Sequence, residues 1–219
     1  GAALASTVER CVFELVDYQS LRYAREYAEF VELVRREESR RIPGSERLTE
    51  AVAHHLHKLM AYKDEYEVAR LALAPEATEQ VEAEFGPGVS VSHLLHPPVL
   101  RALGMRRKIT LGSWFLPVFR VLRGMRRLRG SRLDLFGYAK VRRVERLLVE
   151  EYRAAILAVL PALDAATSSR AVELAELPDQ VRGYEDIKLA RVDAYRTELH
   201  TLTDEFAAAD PGNSRNQMS

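Results

Sequence analysis

The most informative stretch of the sequence is LHKLMAYKDEYEVAR, residues 56–70. It combines an apolar stripe at helical spacing with charged groups and two tyrosines. An ordinary surface helix does not need so specific a mixture. A helix that is buried, or that lies at an interface, does need it, because each charge must then meet a particular partner. The stretch therefore predicts a helix whose charges are paired with other parts of the protein.

The helical periodicity extends over most of the chain. Helices are predicted over 4–41, 49–73 with a bend near Tyr62, 75–85, 113–128, 138–160, 168–177 and 185–206, with Pro and Gly near several of their ends. The helix after Ser113 should hold Pro117 in its first turn. Its apolar side should carry Trp114, Val118, Val121, Leu122, Met125 and Leu128.

The fold class that follows is all-α. We expect one compact multi-helix domain over 1–210, built from long amphipathic helices, with a disordered tail at 211–219. Alternating residues allow at most one short β-hairpin, of about 89–93 with 108–111. There is no repeat at a fixed period and no linker rich in Gly or Ser.

Composition limits the classes of function. The 219 residues are 47% hydrophobic and 29% charged, which is typical of a globular chain. Cys11 is the only cysteine, so the chain cannot form an internal disulfide or hold an iron–sulfur cluster, and a reducing compartment is expected. No apolar run approaches the roughly 18 residues that span a bilayer. Since the first six residues also lack the features of a secretory signal, we expect a cytoplasmic chain without a membrane partner.

Charge is balanced overall, with 32 basic and 32 acidic side chains, but it is segregated along the chain. Residues 62–84 carry seven acidic against two basic side chains, whereas 85–133 carry ten basic and no acidic ones. Three interpretations remain open: the basic helix packs near the acidic one, it docks an acidic protein, or it binds phosphate groups of a ligand. Nucleic acid is not expected as a partner, because the sequence contains no recognisable nucleic-acid-binding motif.

The sequence contains no catalytic or metal-binding motif that stands out. It has no Gly-x-Ser-x-Gly elbow and no Gly-rich phosphate loop. His54, His55 and His57 share one helix, but their spacing differs from that of His-Glu-x-x-His, and a structural role is favoured. Asp64, Glu65 and Glu67 stand beside Lys63 and Arg70, so ion pairing explains them more simply than acid–base catalysis does. We predict no catalytic, cofactor-binding or metal-binding residue.

Three segments resemble the C-terminal region of indolepyruvate ferredoxin oxidoreductases. They are residues 56–71, residues 128–138 (LRGSRLDLFGY) with RRVER at 142–146, and residues 173–184 (ELAELPDQVRGY) with Lys188. HPP at 96–98 and GSWFLP at 112–117 lie between them as further landmarks. Together they extend over about 48–192, in an order and spacing that coincidence does not readily explain.

The resemblance implies a parent enzyme that oxidatively decarboxylates aryl 2-oxoacids to acyl-CoA and passes electrons to ferredoxin. Such a parent uses thiamin diphosphate, magnesium and iron–sulfur clusters, takes coenzyme A as a substrate, and is expected to be a homo-oligomer. This sequence has no Gly-Asp-Gly thiamin motif and a single cysteine. The resemblance therefore implies a non-catalytic accessory domain that packs on the catalytic domains of the same polypeptide and helps to assemble them. The alternative is a docking module whose basic helix binds coenzyme A phosphates or acidic ferredoxin.

The resemblance and the charge pattern together define a structural or interface motif. We expect Asp64 or Glu65 to meet Arg129, Arg146 or Arg182 across helices, because a buried charge must be paired. Glycines of the motif should permit tight turns or close helix approach. The predicted residues are Lys63, Asp64, Glu65, Tyr66, Arg70, Trp114, Arg129, Gly130, Asp134, Phe136, Gly137, Tyr138, Arg146, Arg182, Gly183 and Lys188.

Overall fold

Long helices dominate the computed structural model, which describes residues 1–74, 79, 83–84, 86, 93–95, 109–181 and 185–209. The chain folds into α1 (Ala2–Tyr18), α2 (Leu21–Arg41), α3 (Arg47–Met60), α4 (Glu65–Ala72), β1 (His93–Leu95), β2 (Ile109–Leu111), α5 (Leu116–Met125), α6 (Lys140–Val159), α7 (Ser168–Glu176) and α8 (Glu185–Ala209). Short 3-10 turns at Ser113–Phe115, Arg126–Leu128, Leu160–Ala162 and Leu177–Gln180 adjoin these helices. The predicted all-α fold is confirmed.

Packing divides the chain into two compact units, Gly1–Ala61 with Val144–Ser219, and Tyr62–Arg143. We call them the terminal unit and the central unit. The single domain predicted over 1–210 stays a prediction, and the tail predicted at 211–219 lies outside the described residues.

The terminal unit has a core of aliphatic and tyrosine side chains. Helix α1 packs on α2 and α3, α2 packs on α3, and α7 packs on both α3 and α8. Buried tyrosine hydroxyls join helices: Tyr27 donates to the Ala53 carbonyl at 2.9 Å, and Tyr152 donates to the Ala175 carbonyl at 2.9 Å. Because each hydroxyl is satisfied, these large side chains contribute apolar burial without leaving a polar atom unpaired.

Helix α3 receives its N-terminal cap from a neighbouring helix. Glu38 of α2 is fully buried, and its carboxylate accepts from the Leu48 and Thr49 amides at 3.1 and 2.8 Å. Hydroxyls of Ser45 and Thr49 also donate to it, each at 2.7 Å. A carboxylate at a helix N-terminus satisfies free amides and complements the helix dipole. The helix consequently begins at Arg47, two residues before the predicted start.

The central unit contains α4, the hairpin and α5. Helix α5 packs on α4, with Ala69 and Phe119 buried between partly buried apolar side chains. Strands β1 and β2 are antiparallel, with His93 opposite Leu111 and Leu95 opposite Ile109. The predicted hairpin is therefore present, but its first strand extends to Leu95 instead of ending at 93; residues 89–92 lie outside the described part.

Two helix predictions need correction. The helix predicted over 4–41 is broken between Tyr18 and Leu21, because Ser20 adopts an extended conformation and its hydroxyl accepts from the Tyr23 amide at 3.3 Å. This N-cap starts a new helix. The helix predicted over 49–73 with a bend near Tyr62 is likewise two helices, since α3 ends at Met60 and α4 begins at Glu65.

The predicted apolar side of α5 is only partly buried. Pro117 does lie in the first turn, but Trp114, Val118 and Val121 are 69%, 41% and 62% exposed. The buried residue of this helix is Phe119, because the helix turns its Phe115–Phe119–Leu122 side toward the core.

The predicted helices at 138–160, 168–177 and 185–206 are confirmed within a few residues. The acidic helix predicted at 75–85 falls mostly outside the described residues. Within the described part of the chain, no helix has the length and apolar character needed to span a membrane.

Candidate functional site

A buried ion pair lies at the centre of the predicted motif. Arg129 donates from Nε to Asp64 Oδ2 at 2.5 Å and from Nη2 to Asp64 Oδ1 at 2.7 Å. Both side chains are only 3% exposed. Asp64 is also the N-cap of α4, since its Oδ1 accepts from the Glu67 amide at 2.8 Å. One carboxylate thus caps the start of α4 and also holds Arg129, the residue that directly follows the 3-10 turn Arg126–Leu128.

A second carboxylate organises the loop between the two glycines of the motif. Asp134 accepts from the Gly130 amide at 2.8 Å, from the Gly137 amide at 3.0 Å and from the Tyr66 hydroxyl at 3.0 Å. Gly130 has φ of +77°, in the left-handed region that favours glycine. The prediction that Gly130 permits a tight turn is confirmed. The loop is therefore closed on itself and attached to α4 through one tyrosine.

The aromatic ring of Tyr66 connects these two carboxylates. The Arg129 guanidinium lies over the ring, 5.4 Å from its centroid, and Phe136 packs edge-on at 5.2 Å. Burial, and then the negative charge of Asp134 close by, raise the pKa of the Tyr66 hydroxyl well above its usual range. Tyr66 therefore stays protonated and acts as a hydrogen-bond donor to Asp134. We call Asp64, Tyr66, Arg129 and Asp134 the polar clamp.

A further ion pair lies on α4. Glu65 Oε2 is 3.3 Å from Arg142 Nη2, and the Arg142 guanidinium also lies 5.8 Å from the centroid of the Tyr62 ring. Burial raises the pKa of the Glu65 carboxyl, while the Arg142 charge opposes that shift. The sequence predicts Arg129, Arg146 or Arg182 as the partner of Asp64 or Glu65. The structure pairs Asp64 with Arg129, as predicted. It pairs Glu65 with Arg142, which the sequence does not predict.

The other acidic side chain of α4 is paired locally. Arg70 donates from Nε and Nη2 to the Glu67 carboxylate at 2.9 and 2.8 Å. This bidentate pair, three positions apart on one helix, confirms the expected ion pairing of the two residues. Lys63 is exposed.

Two of the remaining motif residues, Trp114 and Tyr138, lie at the surface of the central unit. Trp114 and Tyr138 are 69% and 63% exposed, and the Tyr138 hydroxyl donates to the Arg132 carbonyl at 2.8 Å. Arg146 lies half-buried on α6 in the terminal unit. Lys188 belongs to α8. Arg182 and Gly183 lie outside the described residues.

The histidines of α3 have structural surroundings. His55 is buried, and its ring lies 4.8 Å from that of His54. Burial, with a smaller effect of His54, lowers the pKa of His55 to about 4. His57 Nε2 lies 3.1 Å from Glu14 Oε2 of α1. Among the described residues, no three His, Cys, Asp or Glu side chains are grouped so that they could hold a metal ion.

The clamp can hold parts of the protein together but is poorly arranged for acid–base chemistry. Asp64 and Asp134 each accept three hydrogen bonds from donors within the central unit. A catalytic base needs a lone pair directed at a substrate proton, whereas these oxygens are directed at internal donors. The geometry therefore defines a structural polar cluster, in which buried charges fix how α4, the 126–128 turn and the 129–139 loop meet.

A family model matches most of the chain. Residues 4–201 match the model of DUF6537, described as a family of unknown function, and the chain belongs to that family. Neither a curated protein nor a solved structure matches the chain. The match covers both units, including all four clamp residues.

Proposed function

We propose that the chain is a non-catalytic helical domain of an indolepyruvate (2-oxoacid):ferredoxin oxidoreductase. In this proposal it packs on the catalytic domains of the same cytoplasmic polypeptide and helps to assemble them. Those other domains hold thiamin diphosphate, magnesium and the iron–sulfur clusters. They decarboxylate the aryl 2-oxoacid to acyl-CoA and reduce ferredoxin, and the whole enzyme is a homo-oligomer.

The observation that carries this proposal is that both carboxylates of the polar clamp accept hydrogen bonds from donors within the central unit. The segments that carry the resemblance, 56–71 and 128–138, are the ones that supply Asp64, Tyr66, Arg129 and Asp134. Their polar atoms are used to hold the central unit together. Residues that distinguish a family and yet serve its fold are expected in a domain whose contribution is shape, with the chemistry performed elsewhere.

Assembly and turnover should be measured on separated parts. The chain, the remainder of the parent polypeptide and their equimolar mixture are compared by sedimentation velocity and by indolepyruvate-dependent reduction of ferredoxin. We expect no turnover by the chain alone and a stable complex in the mixture. Turnover by the chain alone, or the absence of a complex, contradicts the proposal.

A matched pair of variants relates assembly to the clamp. Asp64→Ala removes the buried carboxylate and should weaken the complex, because it disrupts the shape of the central unit. Lys63→Ala changes the exposed neighbouring residue and should leave assembly unchanged. If both variants changed the stability of the complex equally, assembly would not depend on the clamp.

A second candidate function is docking of coenzyme A phosphates or of acidic ferredoxin by the basic helix. Arg120, Arg123 and Arg127 favour it, since their side chains are exposed and form no ion pair with any residue that the structure describes. Titration of the chain with coenzyme A and with ferredoxin at low and high salt tests this function. Binding that weakens steeply with salt supports docking, and the absence of binding at low salt excludes it.

A further inference from the structure

Helix α5 and the 3-10 turn Ser113–Phe115 that precedes it expose an apolar row to solvent. Trp114, Val118 and Val121 are spaced four and three positions apart and are all exposed, while Phe115, Phe119 and Leu122 face the core of the central unit. One helix thus has two apolar sides, and its own unit uses only one of them. An exposed row that includes a tryptophan is a feature of protein-binding surfaces.

A row of arginines lies on the same helix and its 3-10 extension. Arg120, Arg123 and Arg127 are spaced three and four positions apart, so they share a side that is distinct from the apolar row. They are exposed and have no acidic partner among the described residues, and residues 85–133 contain no acidic side chain at all. No acidic residue that the structure describes neutralises the charge of this row.

Small residues separate the two rows. At 100° per residue, Pro117 and Gly124 fall between the apolar row and the arginine row, and both are exposed. A Cβ atom built on Gly124 would have no atom within 4 Å. The helix backbone is therefore accessible between the rows, and a second helix can approach it closely.

We propose that this three-row face of α5 docks an acidic amphipathic helix of a protein partner. The partner's apolar side chains cover Trp114, Val118 and Val121, and its carboxylates form forked hydrogen bonds with the arginine row. A phosphate-bearing small molecule would use the arginines and leave the apolar row uncovered. A membrane surface would gain little from three apolar side chains at the edge of a ten-residue helix. This inference goes beyond the scaffold role and does not depend on the identity of the parent enzyme.

The experiment places a photo-crosslinking residue on the face in the whole protein, expressed in its own cells. p-Benzoylphenylalanine replaces Val121, and as a control it replaces Leu157, an exposed apolar residue of α6. We expect position 121, and not 157, to crosslink to a protein segment that is helical, amphipathic and acidic. Crosslinking to lipid, to a basic segment or to nothing overturns the proposal.

Two kinds of variant test the rows separately. Arg120→Glu combined with Arg123→Glu should reduce the crosslink yield by about tenfold or more, since like charges then face each other. Gly124→Met should do the same by blocking the approach, since its Cβ meets open space and its side chain projects from an exposed position. The control variant combines Arg25→Glu with Arg191→Glu, two exposed positions outside α5. It changes the net charge by the same amount as the arginine-row variant and should leave the crosslink yield unchanged. Circular dichroism confirms that each variant is folded, and an unchanged yield in both test variants contradicts the docking face.

Fluorescence distinguishes the partner classes. Trp114 is the only tryptophan, so intrinsic emission reports directly on the apolar row. Vesicles containing phosphatidylglycerol, and coenzyme A in a separate titration, should leave its emission maximum unchanged. A blue shift with vesicles would identify a membrane face instead, and a saturable change with coenzyme A would identify a phosphate site; either result overturns the proposal.

Discussion

Tyr66 and Asp134, 68 positions apart in the chain, are joined by a buried hydrogen bond of 3.0 Å. The same carboxylate accepts from the amides of Gly130 and Gly137, so this bond connects α4 to a loop that is already closed. The tyrosine ring also contacts the Arg129 guanidinium and the Phe136 ring. One side chain therefore couples a charge, a loop and a helix, and its hydroxyl can be removed without removing the ring.

Tyr66→Phe should lower the free energy of unfolding by about 1.5–3 kcal/mol, because it removes a buried hydrogen bond to a charged acceptor and keeps the ring contacts. Urea denaturation of the chain measures the change. Tyr138→Phe is the matched control: its exposed hydroxyl donates to the Arg132 carbonyl, and its loss should cost less than about 0.5 kcal/mol. Equal costs at the two tyrosines would show that the buried bond has no special role.

Gly130→Ala should destabilise the central unit by about 1–2 kcal/mol, because an alanine Cβ is strained at the positive φ of this turn. Gly124→Ala should have the opposite sign and stabilise by up to about 1 kcal/mol, since it lies within α5 and its added Cβ meets open space. Thermal unfolding of both variants tests the pair. A stabilised Gly130→Ala protein would mean that the loop does not need a left-handed residue.

Acid should weaken the fold through His55. Its folded-state pKa is lowered to about 4 by burial, whereas the unfolded chain takes up the proton near pH 6.5. Since the unfolded state then binds more protons, stability is present above pH 6.5 and is lost as pH falls toward 4. Between pH 7 and pH 5 the contribution of His55 is about 2 kcal/mol.

Urea midpoints at pH 7 and pH 5 check this linkage. His55→Asn should reduce the loss of stability between the two pH values, because the titrating group is gone. The exposed His200→Asn should leave the loss as in the parent chain. If His55→Asn lost as much stability between pH 7 and pH 5 as the parent chain, His55 would not be the group responsible for the acid sensitivity.

The sequence predicts the helices well where periodicity and terminators agree. Pro161 and Pro178 each follow a long apolar pattern, and the helices end close to them. The sequence does not predict the break at Ser20, because apolar spacing runs on from Val16 to Tyr23 and a single serine gives only a weak signal. The extended backbone conformation of Ser20, which breaks the helix, is visible only in three dimensions.

The sequence predicts which residues form the clamp, but it does not predict all of the contacts between them and their neighbours. Charge and resemblance selected Asp64 and Arg129 correctly, because both belong to mixed charged and apolar runs. The pairing of Glu65 with Arg142, and the capping of α3 by Glu38, depend on where helices cross. A carboxylate on a helix pattern is usually exposed, so the complete burial of Glu38 gives no signal in one sequence.

A double-mutant cycle on Asp64 and Arg129 measures whether the buried ion pair holds the central unit together. Asp64→Ala, Arg129→Ala and the double variant are compared with the parent chain by urea denaturation. Each single change should cost about 3–5 kcal/mol, because it leaves the other charge buried and unpaired. The exposed pair Arg170 and Glu173 is the control, and its coupling should be about 0.2–0.5 kcal/mol.

If the clamp fixes the central unit, the Asp64–Arg129 coupling energy should be about 2–3 kcal/mol and change little between 0.1 M and about 1 M salt, since buried charges are poorly screened. Additive costs, with a coupling no larger than that of the exposed control pair, would contradict the account.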